Sequence, residues 1–576
     1  MNEGIKRYLP LCHINFIVKD LKIEILKAHI YIGKFMEAHY ATILEKNADT
    51  IPDRIALICG EVTRTWKEYD ERAARLANML SSYGLGTDSK VGLYLHNSNE
   101  YLEAHFAAFK ISGVPINVNY RYKEEELIYL LDNSDSEAVF FQGCYQDQIK
   151  RIKDKLPKIK VYIQIPDGTE QLNFAENFDE IIKTHKPMDR YRRGEDNIYM
   201  LYTGGTTGMP KGVMYTHGGH VRNMLAAARA WNMVPFDKSL TIDDLHLEIK
   251  KLSDSNQLMI NLPACPLMHG TGMYVGGLIP HLTGGCTVTI PQLGFDPDYF
   301  LKEVERTQAT NLIIVGDAFA RPILDALDLA SLKGSSYNLS SVKSIISSGV
   351  MWSSEVKEGL LKHQDFELID SMGSSEGGMG TSRTSRKVTS ETAKFQLSPG
   401  VIVITDEEEH VEPGSGVIGK IGTSGLVPEG YYKDPEKSAE TFKEFEGKRY
   451  SFPGDYATVE KDGSITLLGR GSNCINTAGE KVYPEEVEEA IKNNSAIYDC
   501  LVVGLKDDKF GQRVVALASI NQGYEIKEKE LIAHTREHLA GYKTPKQILF
   551  VPEIIRATNG KADYKWANEK AKKELN

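Results

Sequence analysis

Tyr202-Thr-Gly-Gly-Thr-Thr-Gly-Met-Pro-Lys-Gly-Val213, preceded by the apolar run Ile198-Tyr-Met-Leu, decides how the rest of the chain is read. Gly204, Gly205, Gly208 and Gly212 let backbone N–H groups approach a ligand and adopt positive φ. Thr203, Thr206 and Thr207 add hydroxyl donors, and Lys211 adds a positive charge. A loop of this make-up at the end of a buried strand suits a polyphosphate. It is not the Walker-type P-loop, because GxxxxGK[ST] is absent. A plain flexible surface loop is the competing reading of the composition alone.

Outward from this loop, strand and helix patterns alternate. Trp66 to Leu80 reads WKEYDERAARLANML, with apolar positions three and four apart. Val91-Gly-Leu-Tyr-Leu reads as a strand, 100–112 as a helix and 113–118 as a strand again. Further strands are expected at 311–315, 342–346 and 366–369. This alternation predicts an α/β fold with parallel sheets. After about residue 472 the character changes: Pro484 opens a helix, a short strand follows at 500–503, and a charged helix at 527–539. The expected division is an unanchored, disordered extension (1–35), a large domain of stacked αβ subdomains (36–472) and a small mobile α+β domain (473–576).

Composition narrows the function classes. The 576 residues carry a net charge of -11, which disfavours non-specific nucleic-acid binding. The seven cysteines include no CxxC pair, so no zinc site is expected, and their scatter fits a reducing, cytoplasmic compartment. Residues 9–18 are apolar but too short to span a bilayer, and charged residues follow at once. No transmembrane segment is expected; peripheral membrane contact and oligomeric state stay open.

Several further strings occur in a fixed order. They are Ser348-Gly-Val-Met351, Ser371-Met-Gly-Ser-Ser-Glu-Gly-Gly378, Gly454-Asp455, Gly469-Arg470, the run 470–487 and Ile555-Arg-Ala-Thr-Asn-Gly-Lys561. With the phosphate loop, this ordered set resembles the adenylate-forming superfamily of acyl-CoA synthetases, luciferases and peptide-synthetase adenylation domains. The resemblance runs from about residue 36 to the C-terminus. The superfamily usually has Ser where Gly204 stands, an aromatic at Met372, Asp or Lys at Asn473, and a second Gly at Ala478.

The resemblance implies ATP and CoA as co-substrates and Mg²⁺ as the metal. The nucleotide would be held by Thr203, Gly205, Thr206, Thr207, Gly208 and Lys211, by Gly349, Met372, Gly373 and Ser375, and by Asp455 and Arg470 at the ribose. Glu376 would bind Mg²⁺, and Lys561, Thr207 and Glu376 would act directly on the transfer. Asn473 would be the hinge of the small domain, and Gly479 its hairpin at the thiol tunnel. His269 and Gly270 would line the acyl and CoA site. Gly270, Gly272, Gly276 and Gly277 are expected to leave room for a bulky apolar acid. The wording of these motifs resembles fatty and steroid side-chain acyl-CoA synthetases, so a medium- or long-chain fatty or bulky hydrophobic acid is expected. A stand-alone adenylating enzyme that loads a carrier protein, and a non-catalytic nucleotide-binding relative, are the alternatives.

Overall fold

The computed structural model describes residues 37–203, 209–237, 240–477, 480–507, 511–557 and 560–575. The expected extension 1–35, the centre of the phosphate loop (Gly204, Gly205, Thr206, Thr207 and Gly208), Ala478, Gly479 and Asn559 lie outside the described residues.

The helix Trp66–Ser82 shows how local sequence builds the scaffold. Thr65 Oγ1 accepts from the Glu68 N–H at 3.2 Å, and a Glu68 carboxylate oxygen accepts from the Thr65 N–H at 2.8 Å. This reciprocal pair satisfies N–H groups that a helix start otherwise leaves unpaired. The same helix buries Trp66, Tyr69, Ala73, Leu76, Ala77 and Leu80 along one stripe.

Two parallel arrays form. Val114–Asn117, Lys90–Tyr94, Ser136–Gln142, Val161–Ile165 and Glu176–Asn177 make one five-stranded sheet. In the second, Ile55–Cys59, Cys286–Thr289, Ile260–Pro263, Asn311–Ile314, Ser344–Ser348 and Glu367–Ser374 lie side by side, all parallel. Helices cover these sheets, so their central strands carry buried apolar runs, as in Ile313-Ile314 and Ile345-Ile346.

The second array then continues as an antiparallel half. Glu367–Ser374 turns into Gly377–Thr384, and Lys394–Leu397, Ile465–Arg470, Asp455–Val459 and Ile418–Ser424 follow in order. A small third sheet, Gly430–Tyr431, Lys211–Thr216 and Ile198–Thr203, carries the phosphate-loop hairpin.

Beyond Asn473, which ends the short turn Gly471–Asn473, a separate five-stranded sheet forms. Its long hairpin, Ile497–Asp507 with Gly511–Ile520, has two buried faces. Cys500 and Val502 pack with Val487 and Ile491 on one side. Leu501, Val503 and Leu505 pack with Ala567 and Ala571 on the other. The period-two alternation thus serves two helical layers at once. The chain is α/β: a large sheet-and-helix body followed by a smaller α+β unit. Among the described residues no helix is long and apolar enough to cross a membrane, and the six cysteines described are free.

Candidate active site

The candidate residues gather where the parallel strands end, the usual place for ligands in such sheets. Ser344–Ser348 stops at Gly349, whose φ of 94° needs a residue without Cβ. Beside it, Glu367–Ser374 closes a two-residue turn made by Ser375 and Glu376. Ile260–Pro263 leads into the segment that carries His269 and Gly270.

Two asparagines fix that segment. Asn117 accepts from the Tyr202 N–H at 2.8 Å and donates to the carbonyls of Tyr202 (2.9 Å) and Met268 (2.5 Å). Asn97 donates to the Cys265 carbonyl and accepts from the Leu267 N–H. The start of the phosphate loop and the His269 turn are therefore clamped to the ends of the five-stranded sheet. Sequence reasoning missed both residues, since a lone Asn after a strand carries no distinctive spacing.

Glu376 is buried, and the Tyr431 hydroxyl donates to it at 2.7 Å. Tyr431 pairs with Val213 in the phosphate-loop sheet, so one side chain links the metal candidate to that loop. The Tyr215 hydroxyl donates to the Ser375 carbonyl at 3.1 Å, a second such link. Thr203 sits at the strand end opposite Lys211. Lys211 itself is ion-paired with Asp434 at 2.7 Å, so a phosphate would have to share it.

Asp455 and Arg470 face each other across two antiparallel strands, with Arg470 Nε 3.4 Å from Asp455 Oδ1. The other oxygen, Asp455 Oδ2, is buried and has no hydrogen-bond partner among the described residues. Burial raises the Asp455 pKa, and Arg470 opposes that shift. An acceptor left unpaired beside an arginine is what two ribose hydroxyls would satisfy.

Lys561 reaches the same place from the C-terminal unit. A tight turn presents it: the Ala557 N–H bonds the Lys561 carbonyl, and the Gly560 N–H bonds the Ala557 carbonyl. The turn is anchored by Arg556, which donates twice to Asp499, each at 2.7 Å. Gly560, at φ 74°, lies so close to the helix Asp317–Leu332 that a Cβ there would stand 2.7 Å from that of Ala318. Lys561 Cε is 3.7 Å from where a Gly349 side chain would begin. Much of the residue's surface is exposed, yet its ammonium is enclosed enough for burial to lower its pKa. Arg470 lowers the pKa further, while Glu376 and Asp455 pull it back up.

His269 Nε2 is likewise buried without a partner among the described residues. Burial, then the charges of Lys561 and Arg121, bring the His269 pKa down to about 3. Arg121, exposed yet near enough to act on His269, is another residue the sequence did not mark.

The structure defines the surroundings of Met372 and corrects the expectation of open space at 270–277. The Met372 side chain is only 6% exposed and belongs to an apolar cluster with Met379 and Phe395. It is thus held by packing on the strand Glu367–Ser374. The glycines of 270–277 do not all make room. Thr271–Leu278 is a π-helix pressed on the preceding loop. A Cβ on Gly272 would stand 2.2 Å from the Pro266 carbonyl oxygen, and one on Gly276 2.8 Å from Pro263 Cβ. Those two glycines permit close packing; Gly270 alone faces looser contacts, 3.5 Å to Leu201.

At the hinge, Asn473 lies close enough to Glu485, the second residue of the helix Pro484–Lys492, to oppose the rise in its pKa. Glu485 is wedged against Gly469, whose added Cβ would meet its carboxylate at 2.3 Å. Lys492 of the same helix approaches Asp317 at 3.9 Å, tying the C-terminal unit to the larger body.

Residues 44–432 match the model of the AMP-binding enzyme family, and residues 486–561 match the AMP-binding enzyme C-terminal domain. The chain is 39% identical to a medium/long-chain-fatty-acid–CoA/3-oxocholest-4-en-26-oate–CoA ligase of Mycolicibacterium smegmatis, over 93% of this chain and 96% of that one. It is 38% identical to a 3-oxocholest-4-en-26-oate–CoA ligase of Rhodococcus rhodochrous, with 93% and 96% covered. Its fold matches the anthranilate CoA ligase AuaEII in complex with anthranoyl-AMP, with TM-score 0.79 and 20% identity over 93% of this chain and 98% of that chain. It also matches ATP-bound MatB from Rhodopseudomonas palustris, with TM-score 0.77 and 23% identity over 93% and 99%.

Proposed function

The chain belongs to the AMP-binding enzyme family, and from that premise we propose that it is an ATP-dependent carboxylate–CoA ligase of the AMP-forming kind. Its acid is a medium- or long-chain fatty acid or a bulky hydrophobic acid, as the names of its relatives suggest. The observation that carries this reading is the convergence of Glu376, Asp455 and Arg470 on Lys561, with one Asp455 oxygen left unpaired among the described residues.

A carboxylate is a poor electrophile because oxide is a poor leaving group. Attack by the carboxylate oxygen on the α-phosphorus of ATP forms the acyl–AMP anhydride and breaks the bond to pyrophosphate. Asp455 and Arg470 hold the ribose. Lys561 lies between the two anionic partners and offsets their repulsion as they close. Glu376, one buried carboxylate braced by Tyr431, suits a hard cation that takes most of its oxygens from phosphate. Mg²⁺ held there would neutralise charge on the departing pyrophosphate. Thr203, Thr206, Thr207 and the glycines around them are the phosphate contacts. This is catalysis by position and preorganised charge.

CoA sulfur then attacks the acyl carbonyl and AMP leaves. The hairpin at Gly479 must replace the Lys561 turn for this step, with Asn473 as pivot. The site residues, the domain division at 473 and the use of Mg²⁺ are part of this proposal.

The test is AMP release from ATP across acids from acetate through decanoate and palmitate to aromatic and steroid side-chain acids. Release that needs both acid and CoA, with thioester formed, supports the ligase. Pyrophosphate exchange without CoA-dependent release would instead point to a carrier protein as acceptor. Nucleotide binding with no turnover of any acid would point to a non-catalytic relative.

A further inference from the structure

The C-terminal unit carries a cluster of metal-binding side chains that the ligase chemistry does not use. The helix Glu528–His538 buries Leu531 and Thr535 on one side. Leu531 shares an apolar cluster with Val487 and Ile491 of the helix Pro484–Lys492. His534 stands three residues before Glu537 and four before His538, so all three side chains reach one patch at the end of the helix. Each offers a donor atom, and the three donors lie within 4.8 Å of one another. The two imidazoles meet edge to face, with ring centroids 4.8 Å apart.

This patch is short of a partner. His534 Nε2 is buried and has no hydrogen-bond partner among the described residues. Native proteins seldom leave such an atom unpaired. Neither neighbour supplies the bond as it stands, but an ion set between the three side chains would. Burial, then the facing His538, lowers the His534 pKa, so near neutral pH the ring is in the uncharged form that ligates a metal. Glu537 and His538 are exposed, so an ion reaches the patch directly from solvent.

The donor set decides which ion. Two imidazole nitrogens and one carboxylate oxygen suit Zn²⁺ and its transition-metal neighbours, whereas Mg²⁺ and Ca²⁺ take oxygen ligands. Tetrahedral Zn²⁺, with bonds of about 2.0–2.1 Å, holds its donors about 3.3 Å apart. Separations of up to 4.8 Å close to that by side-chain rotation, which exposure leaves free at Glu537 and His538. Position adds to the attraction. The helix ends at His538, where the aligned peptide dipoles favour a cation. The lack of CxxC pairs bears on thiolate sites alone and leaves this kind of site open.

We propose that His534, Glu537 and His538 form a Zn²⁺ site on the C-terminal unit, with three protein ligands and water in the fourth position. The bound ion clips the last two turns of the helix together and takes no part in acyl transfer. The site is separate from the Mg²⁺ proposed at Glu376, and it does not rest on the ligase reading.

The test is equilibrium dialysis of the full chain against micromolar Zn²⁺ with Mg²⁺ in excess, the retained metal being counted by atomic emission. The wild type should hold one more Zn²⁺ per chain than either His534→Gln or His538→Gln. Glu537→Gln should weaken the affinity by about 10-fold or more, a loss seen even for groups that only orient a ligand. Far-ultraviolet circular dichroism should be the same in all three variants as in the wild type, since the substitutions lie on the exposed side of the helix. Equal Zn²⁺ retention by the wild type and both histidine variants overturns the proposal and assigns the retained metal to other side chains. Failure of the wild type to retain any Zn²⁺ against Mg²⁺ overturns it as well. Should one histidine variant fail to fold, the other decides.

Discussion

At the scale of single residues, Lys561 and Asp455 do different work, and their loss should read differently. Lys561→Ala should slow acid-dependent pyrophosphate exchange by about 100- to 1,000-fold, the effect of losing one preorganised charge-stabilising donor. Thioester formation from supplied acyl-adenylate should be spared, because Lys561 acts before that step. Asp455→Ala should instead raise the KM for ATP, since its free oxygen is an acceptor for the ribose. The lowered Lys561 pKa adds a pH signature. Its cationic form is the working one, so exchange should decline as pH rises through that depressed pKa. Lys561→Arg, which does not titrate there, should lose this alkaline limb while keeping measurable exchange. Asp455, Arg470 and Lys561 could be singled out as candidates because each sits in a short string of fixed make-up. The braces that hold the site, such as Tyr431 on Glu376 and Asn117 on Tyr202 and Met268, were not. They act across 55, 85 and 151 residues of sequence, a separation that no local pattern encodes.

At the scale of elements, the π-helix Thr271–Leu278 and the hinge behave as built parts with identifiable contacts. Gly272→Ala forces a methyl against the Pro266 carbonyl, so the π-helix must shift. Overpacking of this kind should cost about 1–3 kcal/mol of stability by denaturant melt, with acid binding weakened in parallel. At the hinge, burial first and Glu488 next raise Glu485 from 4.5 to about 8, against the opposing effect of Asn473. The protonated acid is therefore the form favoured in this docked arrangement. Its contribution is fully present below the ordinary carboxylate pKa and is lost as pH rises through about 8. A fluorophore pair across Asn473 should report lid release growing between about pH 5 and pH 8. Glu485→Gln should flatten that transition, and a transition unchanged by it would remove Glu485 as its source. Asn473→Asp, which sets a second carboxylate beside the first, should favour release even at lower pH. Elements with two buried faces or a clean helical stripe were legible from periodicity, as in Trp66–Ser82 and Asn311–Ile314. The antiparallel half from Gly377 to Arg470 was not. Strands such as Phe442–Phe445 and Lys448–Ser451 are four residues long and partly exposed. The π-helix was not legible either, because Gly270, Gly272, Gly276 and Gly277 fit open space and close packing equally well.

At the scale of the whole molecule, the C-terminal unit is docked with Lys561 in the site, which is the arrangement suited to adenylation. Three contacts hold it there: Gly560 against Ala318, Lys492 with Asp317, and Glu485 in the notch at Gly469. On the proposed mechanism none of these persists in the thioester-forming step, since the strands Ile475–Thr477 and Glu480–Val482 belong to the same small sheet unit as the Lys561 turn. On the proposed mechanism the body rotates, with the short turn Gly471–Asn473 as the crossing between the two units. Proline at 473 fixes φ there and pushes the preceding residue away from helical geometry, so it restricts this crossing without touching either set of site residues. Asn473→Pro should therefore leave acid-dependent pyrophosphate exchange within about threefold of wild type while slowing CoA-dependent AMP release by about 100-fold. The acyl-adenylate should accumulate on the enzyme and be recovered after acid quench. Equal slowing of both half-reactions would mean that the substitution disturbs docking itself. Full rate in both would place the pivot elsewhere. Only a selective block of the second step fits a lid that has to turn about Asn473 between one chemistry and the next.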